Sequence, residues 1–512
     1  MAIHGRLERL LGSLAPDQLA AATAPPGPIL CVAPAGSGKT TTLVARLAWR
    51  LARGDAPGRT CAVTFNRRAA ANLRSRLAPL IADQGAAAGV VRVRTFHALA
   101  REILLDAGRP DRQVVDRLTV LHAMTGERLP PAALRRLDDA LARAKLDPRS
   151  TAVPATILRI YQGRLAEAGA MDHDDLIVEA VALLTAEPAL RDRWRQRCAA
   201  LLVDEVQDMD HAQWRLARLL SSPADDLFLV GDDDQTIYAW RLADARRMLR
   251  LAADLPGVRR VDLDTNYRCP AAVVERAVGL VSHNRERLAK RVRAGPDGSG
   301  SLCLVADPGD DVARARQLLG GWTDALRRAP PGGGPTHAIL ARTTAELAPY
   351  AAVALELGLP YWAERDDLAF DPQDHGSASG WAVALAGSTP WPAGLGPALA
   401  AAAARRVDIR RRGAPLHLAT VHATKGLEFE TVACVGLDDG RFPNLRSLED
   451  AADPARQLEE ERRLAYVAWT RARRSLELVY DPGGPSRFIR EAFSPRELRA
   501  AAAAGSFRVV PR

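Results

Sequence analysis

"PILCVAPAGSGKTT", residues 28–41, is the stretch that decides the fold. Its first half is a short apolar run typical of a buried strand, and its second half is rich in glycine, serine and threonine before a helical pattern opens. Backbone N–H groups of such a loop can surround phosphate oxygens, and the helix dipole adds to the attraction. The segment therefore predicts a phosphate-binding loop between a strand and a helix.

Lys39 and Thr40 carry the specific chemistry of this loop. Lys39 is expected to reach the β- and γ-phosphates of a nucleotide, and the Thr40 hydroxyl is expected to bind Mg²⁺. The strict motif begins with glycine, where this chain has Ala33, so a Gly/Ser loop that precedes lysine by chance is the alternative. The strand and helix on either side disfavour it. The candidate nucleotide contacts are Ala35, Gly36, Ser37, Gly38, Lys39, Thr40 and Thr41.

A second motif, "LLVDEVQD" at 201–208, supplies the acids that such a loop needs. Asp204 directly follows an apolar run and is expected to bind the metal. Glu205 is expected to act as the general base toward the attacking water. A solvated strand end is the alternative, but the pairing with Lys39 in the same pattern of elements favours the catalytic interpretation.

Short apolar runs alternate with longer helical patterns along the chain, which predicts an α/β fold with parallel sheets covered by helices. The predicted strands of the first half are 28–34, 60–65, 91–96, 200–205, 227–232 and 259–264. Those of the second half are 301–307, 337–342, 416–422, 431–437 and 475–480. Residues 98–171 interrupt this rhythm, and we expect them to be helical throughout, without a strand.

Composition sets broader limits. A chain of 512 residues is expected to form two to four domains. The net charge of +9 suits a polyanionic partner, although an Arg- and Ala-rich composition can also reflect coding bias. We find no apolar run long enough to span a membrane and no secretory signal. The six scattered cysteines favour buried thiols in a reducing compartment, so we expect a cytoplasmic protein.

The run "GDDDQTIYAWR", residues 231–241, places acids next to aromatic side chains. Asp232 to Asp234 are expected to shape the loop after a strand, with Asp232 nearest the phosphate site, rather than to bind a metal. Taken alone, Tyr238 and Trp240 would be core residues, because alternate aromatic positions are common in strands. A second acidic run, "MDHDDLI" at 171–177, is interpreted as structural rather than as a metal cluster.

"DEVQD" followed by "GDDDQTIYAWR" closely resembles the UvrD/Rep/PcrA group of superfamily 1 DNA helicases. Further segments resemble the motifs of that group in the same order, from residue 18 to residue 474. They are "LAPDQLAA", "VTFNRRAAANLRSR", "RTFHALA", "LDTNYRCP", "LATVHATKGLEFETVACVGLDDGRFPN" and "EEERRLAYVAWTRAR".

The resemblance implies roles at an ATP site. Gln18 would read adenine, Tyr267 would stack on it, and Glu428 would meet the ribose or phosphate end. Arg268 and Arg471 would contact the γ-phosphate, for which the planar, charged guanidinium is suited. Gln235 would sense the γ-phosphate. An ordinary ion pair is the alternative for Arg268. The implied cofactors are ATP and Mg²⁺.

The resemblance also implies contacts to single-stranded DNA, whose bases stack on aromatic side chains. Tyr238 and Trp240 match the stacking pair of the group. Arg67 and Arg68 depart from the usual Asn-Lys, which puts contacts there in doubt. The candidate DNA contacts are Thr64, Phe65, Arg94, His97, Tyr238, Trp240, Arg241 and His422.

The implied architecture is two RecA-like P-loop domains with a helical insertion in the first. The expected boundaries are 1–97 and 172–264 for the first RecA-like domain, 98–171 for the insertion, and 265–365 and 413–495 for the second RecA-like domain. Between motifs IV and V, 366–412 is too short for the large 2B domain of the group, so we expect a reduced or absent 2B.

The implied activity is an ATP-dependent 3′–5′ DNA helicase or translocase on single strands and junctions, serving DNA repair or related metabolism. The alternative is a DNA-activated ATPase subunit of a nuclease or phage-defence complex, with a nuclease or repair protein as partner. A P-loop kinase or GTPase is disfavoured, because the second set of phosphate-facing arginines would have no purpose there.

Overall fold

The computed structural model describes residues 2–82, 91–126, 129–147, 149–238, 246–330, 333–363 and 413–511. The chain divides into two compact units. The first comprises Met1–Pro34, Gly38–Asp264 and Glu286–Lys290. The second comprises Ala35–Ser37, Thr265–Arg285 and Arg291–Arg512. The expected 2B region, 366–412, lies outside the described residues.

The first unit is built on a six-stranded sheet in the order β3-β2-β6-β7-β1-β8, and every pairing in it is parallel. A two-stranded parallel ladder, β4-β5, lies outside this sheet. The strands are β1 Ile29–Val32, β2 Thr60–Thr64, β3 Arg92–Thr95, β4 Gln113–Val115, β5 Ala170–Asp172, β6 Ala200–Val203, β7 Leu227–Gly231 and β8 Arg259–Asp262.

Helices cover both faces of this sheet. The helices of the first unit are α1 Ala2–Gly12, α2 Pro16–Thr23, α3 Lys39–Ala52, α4 Arg67–Ile81, α5 Phe96–Asp106, α6 Arg117–Thr125, α7 Pro131–Leu146, α8 Ala155–Glu167, α9 His173–Ala186, α10 Pro188–Arg197, α11 His211–Ser221 and α12 Arg246–Asp254. Alternate strand residues enter two cores: Leu30 and Val32 join one, whereas Ile29 and Cys31 join the other. Burial on both faces explains why these strands are continuously apolar in sequence.

The second unit contains a seven-stranded sheet in the order β13-β14-β12-β15-β16-β11-β17, parallel except for the antiparallel pair β11-β17. A short ladder, β9-β10, accompanies it. The strands are β9 Thr265–Asn266, β10 Arg293–Ala294, β11 Ser301–Ala306, β12 His337–Ala341, β13 Tyr361–Ala363, β14 Leu416–Thr420, β15 Phe429–Cys434, β16 Ala472–Tyr480 and β17 Ser506–Val509. The helices are α13 Ala271–Val281, α14 Asp311–Arg328, α15 Ala348–Glu356, α16 Leu445–Glu449, α17 Pro454–Trp469, α18 Arg487–Ala492 and α19 Pro495–Ala504.

The predicted class, α/β with two RecA-like parallel-sheet domains, is confirmed. The expectation that 98–171 contains no strand is wrong, because Gln113–Val115 pairs with Ala170–Asp172. Three residues are too few to show a period, and their partner strand is distant in sequence. The six cysteines are all free thiols, and each is buried except the half-buried Cys303. In the described part of the chain, no helix has the length and apolar character needed to cross a membrane.

Candidate functional site

The phosphate loop joins the end of β1 to the start of α3, as the sequence predicts. Gly38, the residue before Lys39, has a φ of 83°. A Cβ at Gly38 would lie 2.5 Å from Nε2 of Gln18 and would displace that amide, and the positive φ of the residue favours glycine independently. Gln18 itself is held by the N–H of Ala15, which donates to its Oε1 at 3.1 Å. The structure thus places the predicted adenine contact directly against the loop.

The side chains at the start of α3 already have protein partners. Lys39 Nζ donates to the carbonyl oxygen of Ala33 at 3.2 Å, which folds the amine back over the loop. The Thr41 hydroxyl accepts a hydrogen bond from Arg76 at 2.8 Å. Thr40, the predicted metal ligand, is half-buried beside Lys39.

Asp204 lies at the end of β6, where its N–H donates to Val63 O at 2.9 Å. Burial, and then the charge of Glu205, raise the pKa of the Asp204 carboxyl to about 7, although Lys39 opposes this. A divalent cation would favour the carboxylate again, because an opposite charge at close range stabilises the ionised form. The residue therefore fits a magnesium ligand.

Glu205 has a left-handed backbone with a φ of 54°, which is costly for a residue with a side chain. Its Oε2 accepts a hydrogen bond from Gln207 Nε2 at 2.5 Å. Gln207 Oε1 in turn accepts the N–H of Asp232 at 3.1 Å, and Asp232 Oδ2 accepts from Gln235 Nε2 at 2.9 Å. One hydrogen-bonded series thus connects the candidate base with the candidate γ-phosphate sensor.

Gln207 lies within the motif "LLVDEVQD", but the sequence alone assigns no role to it. It is fully buried and bridges two motifs that are separate in sequence. The only signal available was its place inside "DEVQD", which does not reveal the partner of either end of its amide.

In the second unit, Arg268 and Glu428 lie together. Arg268 Nε donates to Glu428 Oε2 at 2.7 Å, and its Nη1 donates to Thr470 O at 3.2 Å. Asn266 Oδ1 accepts the backbone N–H groups of Arg268 and Cys269, both at 2.8 Å. Among the described residues, the buried Nδ2 of Asn266 has no hydrogen-bond partner. A buried donor of this kind beside Arg268 fits a segment that binds a polar ligand.

Arg471 and Tyr267 belong to the same unit but differ in exposure. Arg471 is buried, and its guanidinium donates to Val467 O at 2.9 Å and to Leu427 O at 3.2 Å. Tyr267, the predicted adenine-stacking residue, is 48% exposed, which is unusual for a large ring and leaves its surface accessible to a ligand.

On the DNA side, the structure brings two predicted contacts together. The rings of Phe65 and Tyr238 stack with centroids 5.2 Å apart and an angle of 17° between their planes. Thr64, next to Phe65, is fully buried and donates its hydroxyl hydrogen to Asn66 O at 3.1 Å. Trp240 and Arg241 lie outside the described residues.

The other predicted DNA contacts are held by protein groups. Arg94 forms an ion pair with Glu102. The ring of His97 meets His173 edge-on at 5.8 Å between centroids. Burial, followed by the charges of Arg342 and Lys425, lowers the pKa of His422 to about 4, so its imidazole is neutral at pH 7.

Among the described residues, no group of three or more His, Cys, Asp or Glu side chains is placed to hold a metal ion. In 171–177, Asp172 and Asp175 bind the buried Lys145 at 2.7 Å and 2.6 Å, which agrees with the structural interpretation. In 231–241, Asp232 begins a short 3-10 turn, where its Oδ1 accepts the N–H of Asp234 at 3.2 Å. The three aspartates also bind Arg287 and Lys290, two residues that the sequence analysis missed.

Models of two helicase domain families match this chain. The model of the UvrD/REP helicase N-terminal domain matches residues 14–125 and 134–256. The model of the UvrD-like helicase C-terminal domain matches residues 398–482. These matches together cover more than half of the chain.

Curated relatives include DNA helicase II of Salmonella typhimurium, 27% identical over 94% of this chain and 88% of the relative. DNA helicase II of Escherichia coli is 32% identical over 69% of this chain and 51% of the relative. ATP-dependent DNA helicase UvrD2 of Mycobacterium bovis is 29% identical over 94% of this chain and 81% of the relative. With the phosphate loop, the Asp204–Glu205 pair and the motif order, these matches show that the chain belongs to the UvrD/REP helicase family of superfamily 1.

Proposed function

We propose that the chain is an ATP-dependent DNA helicase that translocates 3′ to 5′ on single-stranded DNA and serves DNA repair or related DNA metabolism. The observation that carries the proposal is the hydrogen-bonded series from Glu205 through Gln207 and Asp232 to Gln235. Tyr238, stacked on Phe65, follows Gln235 by three residues. ATP chemistry and base stacking would thus be neighbours in one segment.

The candidate ATP-site residues can be given roles in hydrolysis. Lys39 binds the β- and γ-phosphates, and Glu205 accepts a proton from the attacking water. Thr40 and Asp204 would hold Mg²⁺, which neutralises phosphate charge when bound. Gln235 senses the γ-phosphate, and Arg268 and Arg471 offer it fixed cationic donors.

The nucleoside end of ATP would be held by Gln18, Tyr267 and Glu428. Gln18 reads the adenine edge with its amide, Tyr267 stacks on the base, and Glu428 meets the ribose or phosphate end. The exposure of these side chains supports the assignment. The aromatic ring of Tyr267 and the carboxylate of Glu428, although ion-paired, are both partly accessible to a ligand.

Relative length supports a reduced 2B region. The alignment with the Salmonella relative extends over 645 positions, more than the 512 residues of this chain. That relative therefore has residues inside the aligned region with no counterpart here. We propose that this protein moves readily on single strands and engages duplex through another surface or a partner protein.

The function is tested with the purified chain, ATP, Mg²⁺ and oligonucleotides. We expect single-stranded DNA to stimulate ATP hydrolysis and 3′-tailed duplexes to be unwound in preference to 5′-tailed ones. Strong stimulation without unwinding of either substrate would favour the alternative, a DNA-activated ATPase subunit of a nuclease or phage-defence complex. Hydrolysis that ignores DNA would contradict both. Unwinding of 5′-tailed duplexes alone would contradict the proposed polarity.

Replacing Tyr238 with alanine is expected to weaken single-strand affinity by about 5- to 150-fold, since stacking contributes roughly 1–3 kcal/mol per base. The change also removes the partner of the Phe65 ring. Fluorescence anisotropy with a labelled oligothymidine at fixed salt gives the dissociation constant. Tyr238→Phe is the matched control, because it keeps the ring and should bind nearly as tightly. Equal affinities for the two variants would remove Tyr238 from the DNA site.

Salt dependence tests the backbone contacts independently of stacking. The logarithm of the binding constant should fall linearly with the logarithm of salt concentration, with a slope of about −0.7 per neutralised phosphate. Tyr238→Ala should lower affinity at every salt concentration while leaving this slope unchanged, because the ring carries no charge. A reduced slope would mean that the substitution also displaces cationic side chains.

A further inference from the structure

In the folded chain, the amine of Lys290 lies among the three aspartates of the motif "GDDDQ". Its Nζ is 2.5 Å from Asp232 Oδ1, 2.5 Å from Asp233 Oδ1 and 2.9 Å from Asp234 Oδ2. The Lys290 side chain is 1% exposed, and the three carboxylates are equally buried. We name Lys290 and these three aspartates the lysine clasp.

The clasp joins parts of the chain that are distant in sequence. Glu286–Lys290 belongs to the first unit, although the residues on either side belong to the second. Arg287 pairs with Asp234 through Nε at 3.1 Å and Nη2 at 2.7 Å. The N–H of Leu288 donates to Asp233 Oδ2 at 2.7 Å. All three aspartates of the run therefore hold this short segment, and Lys290 is the residue of the segment that binds Asp232.

The charge on Lys290 is maintained by its partners. Burial lowers the pKa of the amine, but the charges of Asp232, Asp234 and Asp233 raise it by more, so the pKa lies above its usual value. An ion cluster taken out of water needs each member, because removing one leaves an uncompensated buried charge. Lys290 consequently fixes the carboxylate of Asp232 as long as the first unit is folded.

Asp232 is the member of the clasp that reaches the candidate ATP machinery. One of its carboxylate oxygens binds Lys290, and the other accepts the amide of Gln235 at 2.9 Å. Its backbone N–H donates to Gln207, which holds Glu205. Rotation of the Asp232 carboxylate would break its hydrogen bond with Gln235, so Lys290 holds one of the groups that bind the Gln235 amide.

We infer that Lys290 is a positioning residue for ATP turnover, which it serves by locking Asp232 and, through it, Gln235. The inference rests on the proposed function, because Gln235 acts only if the chain hydrolyses ATP. Arg287 provides the contrast, since it anchors the same segment to Asp234 without touching Asp232. If the clasp were purely structural, loss of Lys290 and loss of Arg287 would affect ATP turnover equally. If Lys290 positions Gln235, only its loss would lower turnover.

The test compares Lys290→Met with Arg287→Met in the full chain. For Lys290→Met we expect a DNA-stimulated kcat lower by about 10- to 100-fold, as when groups that orient a catalytic ligand are removed, with KM for ATP and affinity for DNA little changed. Gln235→Ala should likewise lower kcat while leaving KM for ATP and affinity for DNA little changed. Arg287→Met should lower the melting temperature while retaining kcat. Equal kcat losses in the Lys290 and Arg287 variants, or none in Lys290→Met, would overturn the inference.

A second pair of variants controls for loss of folding. Such a control is needed because Lys290→Met leaves three buried carboxylates with Arg287 as the cation beside them. Lys290→Met combined with Asp233→Asn removes one of these charges without touching the Asp232–Gln235 contact. It is compared with Asp233→Asn alone, and kcat should fall only when Lys290 is also replaced. If the unaltered chain shows no DNA-stimulated hydrolysis, the proposed function fails. If it does and the double variant matches Asp233→Asn, only the role of Lys290 fails.

Discussion

Replacing Glu205 with glutamine is expected to lower the kcat of DNA-stimulated ATP hydrolysis by about 10²- to 10⁴-fold, the usual contribution of a general base. The amide cannot accept the proton of the attacking water, yet it keeps the size of the side chain. The hydrogen bond from Gln207 can be retained by the amide oxygen, so the series to Asp232 should persist. ATP binding should stay close to that of the unaltered chain, because Lys39 and the phosphate loop are untouched.

The measurement is steady-state hydrolysis with saturating oligothymidine, together with calorimetric titration of a non-hydrolysable ATP analogue. Glu179→Gln is the matched control: it makes the same chemical change in the same unit, at a partly exposed carboxylate paired with Arg112. That variant should hydrolyse ATP normally. Turnover near the normal rate in Glu205→Gln would show that another group accepts the proton, and loss of analogue binding would show that the change disturbs the loop.

Residues Leu227–Gly231 illustrate why the fold was predictable from sequence. Every residue of this strand is buried, and alternate ones enter opposite cores, so the strand is an unbroken apolar run. Such runs, separated by helical patterns, indicate a parallel sheet without knowledge of any contact. The phosphate loop was predictable for a similar reason, because its chemistry depends on glycines and on Lys39, which are neighbours in the sequence.

Pairings between distant residues were not predictable in this way. Gln113–Val115 forms a strand only because Ala170–Asp172 lies beside it. The return of Glu286–Lys290 to the first unit depends on carboxylates more than fifty residues earlier. The partners of side chains were equally unpredictable. A motif identifies the residue type that a site needs, but only the folded chain determines which neighbouring residue binds that side chain.

Arg94 and Arg268 show this distinction at the candidate site. Each was assigned to a ligand, and each forms an ion pair within its own unit, with Glu102 and Glu428 respectively. For Arg268 the alternative of an ordinary ion pair and the proposed phosphate contact are compatible, because Glu428 can hold the guanidinium until a nucleotide is present. For Arg94, a phosphate of DNA would have to compete with the Glu102 carboxylate.

Replacing Lys39 with methionine is expected to lower kcat/KM for ATP by about 10²- to 10³-fold, the loss typical when one donor to a developing charge is removed. Lys39 is the first residue of α3, and its amine is aimed back over the phosphate loop by the carbonyl of Ala33. Methionine replaces the apolar stem of lysine with an unbranched side chain of four heavy atoms and removes the amine. The β- and γ-phosphates would lose a cation that the loop N–H groups cannot replace.

The effect should depend on which phosphates the ligand carries, and this separates a lost contact from a damaged fold. Calorimetry should show a larger loss of affinity for an ATP analogue than for AMP, which lacks the phosphates that Lys39 reaches. Arg164→Met, which removes one cation from the same unit at an exposed site where Arg164 pairs with the exposed Glu167, controls for net charge and should behave normally. A uniform loss for both nucleotides, with an unchanged melting temperature, would place Lys39 outside the phosphate contact. Retained hydrolysis with weaker DNA stimulation would instead move its role from ATP chemistry to the electrostatics that Lys39 shares with Asp204 and Asp232.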